Sequence, residues 1–212
     1  MRPWVALLAW APLCALFLSG CANRGLVRYE KIAARAASGE FLEAASALRA
    51  EKSGLYGSQS DLLYNLDLGI LYHYAGRHDS SIVFLERAAR IHDDLFTRSV
   101  SNEAAALLTN DNARPYRGRP YEMVWMRVIQ SFNYLALDNK DGARVELRQA
   151  QLLMDEFRRT AGGGPAAYRD DPLFRGTAAM VYAALGETDD AAIAAFHAVK
   201  HYRDAGRRPP EG

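Results

Sequence analysis

The stretch from Asp61 to Asp94, DLLYNLDLGILYHYAGRHDSSIVFLERAARIHDD, constrains the fold more than any other part of the chain. Apolar residues recur at helical spacing through Leu62, Leu66, Gly69 and Ile70, then Tyr72 and Tyr74, and the pattern stops at Gly76-Arg77-His78. A second stripe runs through Ile82, Leu85, Ala88 and Ala89, with Asp79 placed to cap it. Two amphipathic helices joined by so short a turn fold back on each other as a hairpin. Gly69 and Ala88, facing across that hairpin, let the helix axes approach closely, while Tyr72 and Leu85 fill the space on either side.

The pattern returns along the chain. Gly69, Tyr72, Gly76, Ser81, Leu85 and Ala88 align with Ser131, Tyr134, Asp138, Ala143, Leu147 and Ala150, and again with Ala179, Tyr182, Gly186, Ala191, Ala195 and Ala198. A degenerate copy before them, Ile32, Arg35, Gly39, Ala44, Leu48 and Glu51, keeps the turn and loses the packing positions. The expected copies span 28–53, 61–94, 121–155 and 172–204, with an insertion over 95–120 and a disordered tail over 205–212. Asp171-Pro172 supplies an N-cap and a first-turn proline for the last copy, and Thr188 with Asp189 and Asp190 gives its second helix a cap and an acidic start. Gly54 and Gly57 close the first pair. Gly162-Gly163-Gly164-Pro165 is a break and not a phosphate cradle, because no Lys-Ser or Lys-Thr follows it.

Small-x-x-Tyr, then a turn glycine, then Ala or Ser, Leu and Ala resembles the tetratricopeptide repeat (TPR), whose period is about 34 residues. The resemblance is best over Asp61 to Asp94. It departs from the family at Asn65, where an aromatic is usual, and in lacking a closing proline. The fold class expected is all-α, a TPR-like helical-hairpin solenoid of three to four repeats with a long helical and loop insertion. A generic bundle of Ala-rich helices is the alternative.

The first twenty residues read as an export signal. Arg2 is followed by an uncharged apolar run from Trp4 to Leu18, about 15 residues, where a membrane-spanning helix needs roughly 20. Leu18-Ser19-Gly20-Cys21 resembles the lipobox of bacterial lipoproteins, which implies cleavage before Cys21 and acylation of its thiol and amine, palmitate being the typical chain. Several chains at about 0.8 kcal/mol per buried methylene hold a protein on a membrane permanently. Ala22 in place of Asp after the cysteine implies, on the same resemblance, the outer membrane and its periplasmic face. Residues 21–27 then form the lipidated N-terminus and linker, and 28–204 the helical domain.

Charge narrows the partners. The chain carries 26 basic and 25 acidic residues, and Arg2 is the only charged residue in the signal, so the body is neutral. That argues against nucleic acid and against a bare anionic membrane surface. Cys14 leaves with the signal and Cys21 is lipidated, so no cysteine remains for a disulfide.

The insertion between Leu95 and Pro120 is where function is expected to sit. Ser99 or Ser101 can cap a helix over Asn102 to Leu108, and the rest is polar, turn-rich and studded with Arg and Tyr. Asn110 to Asn112, Tyr116 to Glu122 and Asn133 to Leu135, in that order, resemble a group of bacterial TPR lipoproteins. As a strut, this loop would have Asn110 and Asn112 hydrogen-bonding helix ends and Tyr121 packed in the groove. As a contact surface, Arg114, Arg117 and Arg119 would read carboxylates, with Tyr116 and Tyr121 as aromatic anchors. Asn65, Tyr72, Arg127, Asn133 and Tyr134 are expected to line the face formed by the first helices of each pair.

Catalytic and metal readings are weaker. His197 and His201 stand one turn apart, a spacing able to bind zinc, without a following Glu or a placed third ligand. No Gly-x-Ser-x-Gly elbow occurs. Glu122 beside Tyr121 is the one carboxylate to nominate for a cell-wall or glycan-acting enzyme. The expectation is a non-enzymatic scaffold without cofactor or metal, binding a protein or peptide partner in cell-envelope assembly, the class that similar TPR lipoproteins serve. A structural subunit of a lipoprotein complex is the further alternative.

Overall fold

The computed structural model describes residues 20–57, 59–101, 115–160 and 171–208, the side chains of 20–24, 98–101 and 160 excepted. The signal through residue 19, the Cys21 side chain, Asn110 to Asn112, Arg114 and the Gly162 to Gly164 break therefore lie outside the described residues.

Among the described residues every regular element is a helix. In chain order they are α1 (Gly20–Ala37), α2 (Phe41–Ala50), α3 (Lys52–Leu55), α4 (Asp61–Tyr74), α5 (His78–Ser101), α6 (Pro120–Ala136), α7 (Lys140–Thr160), α8 (Pro172–Leu185) and α9 (Thr188–Asp204). The closest pairings are α4 with α5, α6 with α7 and α8 with α9, and α1 packs on α2. Each hairpin also meets the next: α2 touches α4, α5 touches α6, and α7 touches α8. No described helix is long and apolar enough to cross a membrane.

One turn closes all four hairpins. At its centre Gly39, Gly76, Asp138 and Gly186 have φ of +85°, +70°, +57° and +81°. The next residue's N–H then reaches back five positions: Glu40 to Arg35, Arg77 to Tyr72, Asn139 to Tyr134 and Glu187 to Tyr182, at 2.8–2.9 Å. This backbone arrangement satisfies carbonyls that a helix end leaves unpaired, and it needs a left-handed residue, which Gly supplies freely and Asp tolerates. The four centres are the positions that sequence alignment equates.

Within the second hairpin, α4 and α5 meet at Gly69. A Cβ placed on Gly69 would stand 2.2 Å from Leu85 Cδ2, so only hydrogen fits there. Leu85 is the group that meets Gly69 most closely, and Ala88, expected to face it, sits with Leu85 in the apolar cluster of Leu62, Leu66 and Met123. Beside the contact, Ser81 Oγ donates to the Gly69 carbonyl at 2.7 Å, fully buried. In the third hairpin the hydroxyl has changed helices: Ser131 Oγ donates to the Ala143 carbonyl at 3.0 Å, between the same aligned positions.

Between hairpins the aligned tyrosines act as bridges. Tyr72 accepts from Arg49 Nη1 at 3.4 Å, Tyr134 donates to Glu86 Oε1 at 3.1 Å, and Tyr182 accepts from Gln151 Nε2 at 3.0 Å. In each case the tyrosine lies on the first helix of one hairpin and its partner on the second helix of the hairpin before.

Some boundaries differ from those read in the sequence. The helix assigned to end at Asp94 continues as α5 to Ser101, because no Gly or Pro interrupts it. Asp79 lies inside the first turn of α5, and α9 begins at Thr188 itself with Glu187 before it, so neither residue is the cap. Asp171 is the cap expected of it, accepting from Leu173 N–H at 2.9 Å ahead of Pro172.

Gly69→Leu forces a side chain into Leu85. We expect it to lower stability by about 1–3 kcal/mol and the thermal midpoint by about 2–4 °C per kcal/mol. Melting followed by circular dichroism checks this, and an unchanged midpoint refutes the contact.

Candidate functional site

Two buried or half-buried polar clusters and one open groove hold the chemistry. The first cluster locks the second hairpin to the third. Asn133, fully buried on α6, donates through Nδ2 to Ser81 Oγ at 2.8 Å, and Ser81 passes the chain to the Gly69 carbonyl. The Asn133 amide oxygen faces Nδ1 of His73 at 2.7 Å and Nδ1 of His78 at 3.0 Å. An amide oxygen only accepts, so both rings carry their proton on Nδ1. The two imidazoles stand edge to face with centroids 5.6 Å apart.

Alongside, Arg127 Nη1 and Glu146 Oε2 pair at 3.0 Å with both side chains largely buried. Burial raises the Glu146 carboxyl, and Arg127 opposes that shift. Burial first, and the neighbouring Glu86 carboxylate next, push the Tyr134 phenol up to about 12. Its ring covers Gly142, where a Cβ would sit 2.7 Å away.

The end of the insertion is strapped down. Tyr116 N–H donates to the Gln59 carbonyl at 2.8 Å, and His92 Nδ1 donates to the Arg117 carbonyl at 2.8 Å. Gly118, at φ +77°, passes so close to Met123 that a Cβ would meet its Cε at 2.7 Å. The Glu122 carboxylate accepts from the Tyr116 hydroxyl at 2.5 Å and from Arg119 N–H at 2.7 Å, which caps α6. Burial and that carboxylate both push the Tyr116 phenol up.

The groove lies between α1 and α4. Ile32, Ala33 and Ala36 form one wall, Ile70 and Leu71 the other, with Tyr29 also lining it, and they enclose about 220 Å³. One carboxylate enters this apolar surround. Asp67 accepts a short hydrogen bond from the Tyr56 hydroxyl, and burial raises its carboxyl above the usual range while Tyr56 pulls the other way and Glu122 adds to the rise. Asp67 in turn raises the Tyr29 phenol. Among the described residues no Lys, Arg or His pairs with Asp67.

The residues singled out in the sequence are scattered over these features. Asn133 has no surface to offer a partner, and Asn65 is buried with its amide donating to the Asp61 carbonyl at 2.7 Å. The view that both line an open face gives way to interior roles, because each has a buried backbone or side-chain acceptor in reach. Tyr72 stacks on Phe84 with centroids 5.4 Å apart, and with Tyr134 it serves as an inter-hairpin bridge. Arg127 is held by Glu146. Tyr116 packs against the core, so of the two loop aromatics only Tyr121, 45% exposed, is turned outward, where the strut reading had it packed. Arg117 and Arg119 are exposed. His197 and His201 stack at 6.1 Å, and among the described residues no group of three His, Cys, Asp or Glu could hold a metal ion.

Asp67 was missed. Its signal is a lone carboxylate between Leu66 and Leu68 in a helix otherwise almost without charge.

Two variants probe these sites. Gln130, fully buried on α6, leaves both its side-chain nitrogen and oxygen without a partner among the described residues. Leu68, at the aligned position, is apolar and equally buried. Unmade hydrogen bonds of this kind destabilise by about 1–3 kcal/mol each, so Gln130→Leu should raise the melting midpoint, and a fall would show that the amide is paired. For Asp67, the raised carboxyl means that the native state binds more protons than the unfolded chain as pH climbs above 3.8, so stability falls with pH there. Asp67→Asn removes that loss. Its midpoint should exceed the parent's at pH 7 and match it at pH 3, and parallel pH profiles would refute the assignment.

Comparison of the chain with protein-family models, with curated proteins and with solved structures gives no match, so the function is argued from these side chains and from the sequence.

Proposed function

We propose that this chain is an envelope lipoprotein, held through acylated Cys21 on the periplasmic face of the outer membrane. Its hairpins act there as a TPR-like scaffold that binds a protein partner. The observation that carries the scaffold is the recurrence of one set of contacts at aligned positions: the left-handed turn, the buried hydroxyl on a carbonyl across each of the two middle hairpins, and the tyrosine that reaches back to the hairpin before. Contacts between the first helices α4 and α6, and α6 and α8, support the same arrangement. Hairpins that repeat their neighbour contacts stack into an extended array with a continuous face along the first helices, and such faces hold peptides or helices of other proteins.

The chemistry found at Glu122 favours the scaffold over a hydrolase. Its carboxylate is committed to capping α6 and to Tyr116, so Glu122 is not a free acid. The outward group of Arg117, Arg119 and Tyr121 at the start of α6 is suited to a carboxylate-bearing partner surface.

Crosslinking in intact cells, followed by membrane fractionation and identification of attached proteins, tests this. The chain should fractionate with the outer membrane and capture a reproducible envelope protein. Cys21→Ser should lose the membrane fraction. Fractionation unchanged by Cys21→Ser would refute the anchor, and capture of nothing would refute the scaffold.

A further inference from the structure

The groove between α1 and α4 has a chemistry of its own, separate from the outward arginines. Its volume of about 220 Å³ falls below the roughly 300–1,000 Å³ of pockets that enclose whole small-molecule ligands. It has room for one long side chain. The walls, Ile32, Ala33, Ala36 and Ile70, are apolar, and the Asp67 carboxylate enters between them.

Charges drawn part-way out of water are usually paired, yet half-buried Asp67 has only a neutral partner, the Tyr56 hydroxyl. Tyr56 is bonded to it, Tyr29 lines the same groove, and the nearby charge that bears on it is that of another acid, Glu122. The site therefore carries negative potential inside an apolar slot, and nothing described in this chain neutralises it. Two natural side chains complement such a slot, since Lys and Arg lay an apolar stem along apolar walls and present a cation at the end. Tyr29, 46% exposed, lines the same groove and puts an aromatic side chain beside the cation's path.

Resting on the scaffold reading above, we infer that this groove receives a lysine or arginine side chain from a segment of the partner protein, its charged head on Asp67 and its stem between α1 and α4. A neutral side chain of the same length leaves the carboxylate unpaired, and an acidic one is repelled. The site thus sets the chemical class of the partner: a segment with a basic residue flanked by apolar or small ones. That class is opposite to the one the outward Arg117 and Arg119 would attract, so a partner that engages both surfaces carries both signs.

The test uses the full chain, purified and immobilised, and a phage-displayed library of random heptapeptides. Enriched peptides should carry Lys or Arg, and the leading one, resynthesised, should bind at least tenfold more weakly after its basic residue becomes Gln. Asp67→Asn, which keeps an oxygen for Tyr56, should abolish that difference. Ala33→Phe, which fills the groove from α1, should abolish binding, with circular dichroism establishing that both variants fold. No enrichment, enrichment without basic residues, or an unchanged preference on Asp67→Asn would overturn the proposal. So would self-association of the chain that Asp67→Asn prevents, which would assign the groove to a second copy. If cell crosslinking still captures the envelope partner with Ala33→Phe, the groove assignment fails while the scaffold stands; if the parent chain captures nothing, the scaffold itself fails.

Discussion

The close approach of α4 to α5 at Gly69 is the constraint on which the rest of the structure depends. With hydrogen as the only side chain, the helix surfaces meet tightly enough for Leu85 to lie against the Gly69 backbone. At that separation the Ser81 hydroxyl reaches the Gly69 carbonyl across the pair. Apolar contact and hydrogen bond then specify the same register, so a slide of either helix by one turn would lose both. In the third hairpin Ser131 and Ala143 reproduce the bond with donor and acceptor helices exchanged. What recurs is therefore the spacing and not the residue, which is how two hairpins can share geometry while differing at most positions.

The register within a hairpin is passed to its neighbour through Asn133. Because Ser81 spends its proton on Gly69, its oxygen is free to accept from Asn133, and Asn133 in turn orders His73 and His78 at the end of the hairpin. A satisfied polar chain in a buried interface fixes one arrangement where apolar contacts alone would tolerate several. Gln130, one turn before Tyr134, shows the opposite condition, an amide at a position where the preceding hairpin places Leu68. The same helix therefore holds one buried polar residue that specifies packing and another left without a partner among the described residues.

Much of this was legible in the sequence for a physical reason. Turn glycines, helical spacing of apolar residues and small side chains at contact points are local signals, and Asp138 could be equated with Gly76 because both tolerate the left-handed backbone. The burial of Asn133 was not legible, since a polar residue on a first helix looks like surface until its partners are known, and these lie 52 residues away at Ser81 and 60 residues away at His73; Asn65 is buried over a local acceptor, the Asp61 carbonyl, that any helix would offer it. Glu122 misled for a similar reason: adjacency to Tyr121 suggested a site, whereas its carboxylate turns back to Arg119 and Tyr116. The length of α5 was underestimated because the repeat pattern ends at Asp94 while nothing in the chain stops the helix there.

The groove sits where it does because the space between successive hairpins is filled unevenly. Beside Leu62 and Met123, the segment from Pro115 to Arg119 lies over the junction of the second and third hairpins, with Tyr116 packed in and Gly118 in contact. At the junction of the first and second, the connection supplies Tyr56, whose hydroxyl turns to Asp67, while the small side chains of Ala33 and Ala36 on α1 leave the slot open. The helix that forms one wall is also the one that begins next to Cys21. At 1.5 Å per residue, the twelve positions from Cys21 to Ala33 amount to about 18 Å. If the cysteine carries the proposed anchor, a basic segment seated on Asp67 would therefore be met within a few helical turns of the membrane surface, which favours partners that themselves lie at or in the outer membrane over those free in the periplasm.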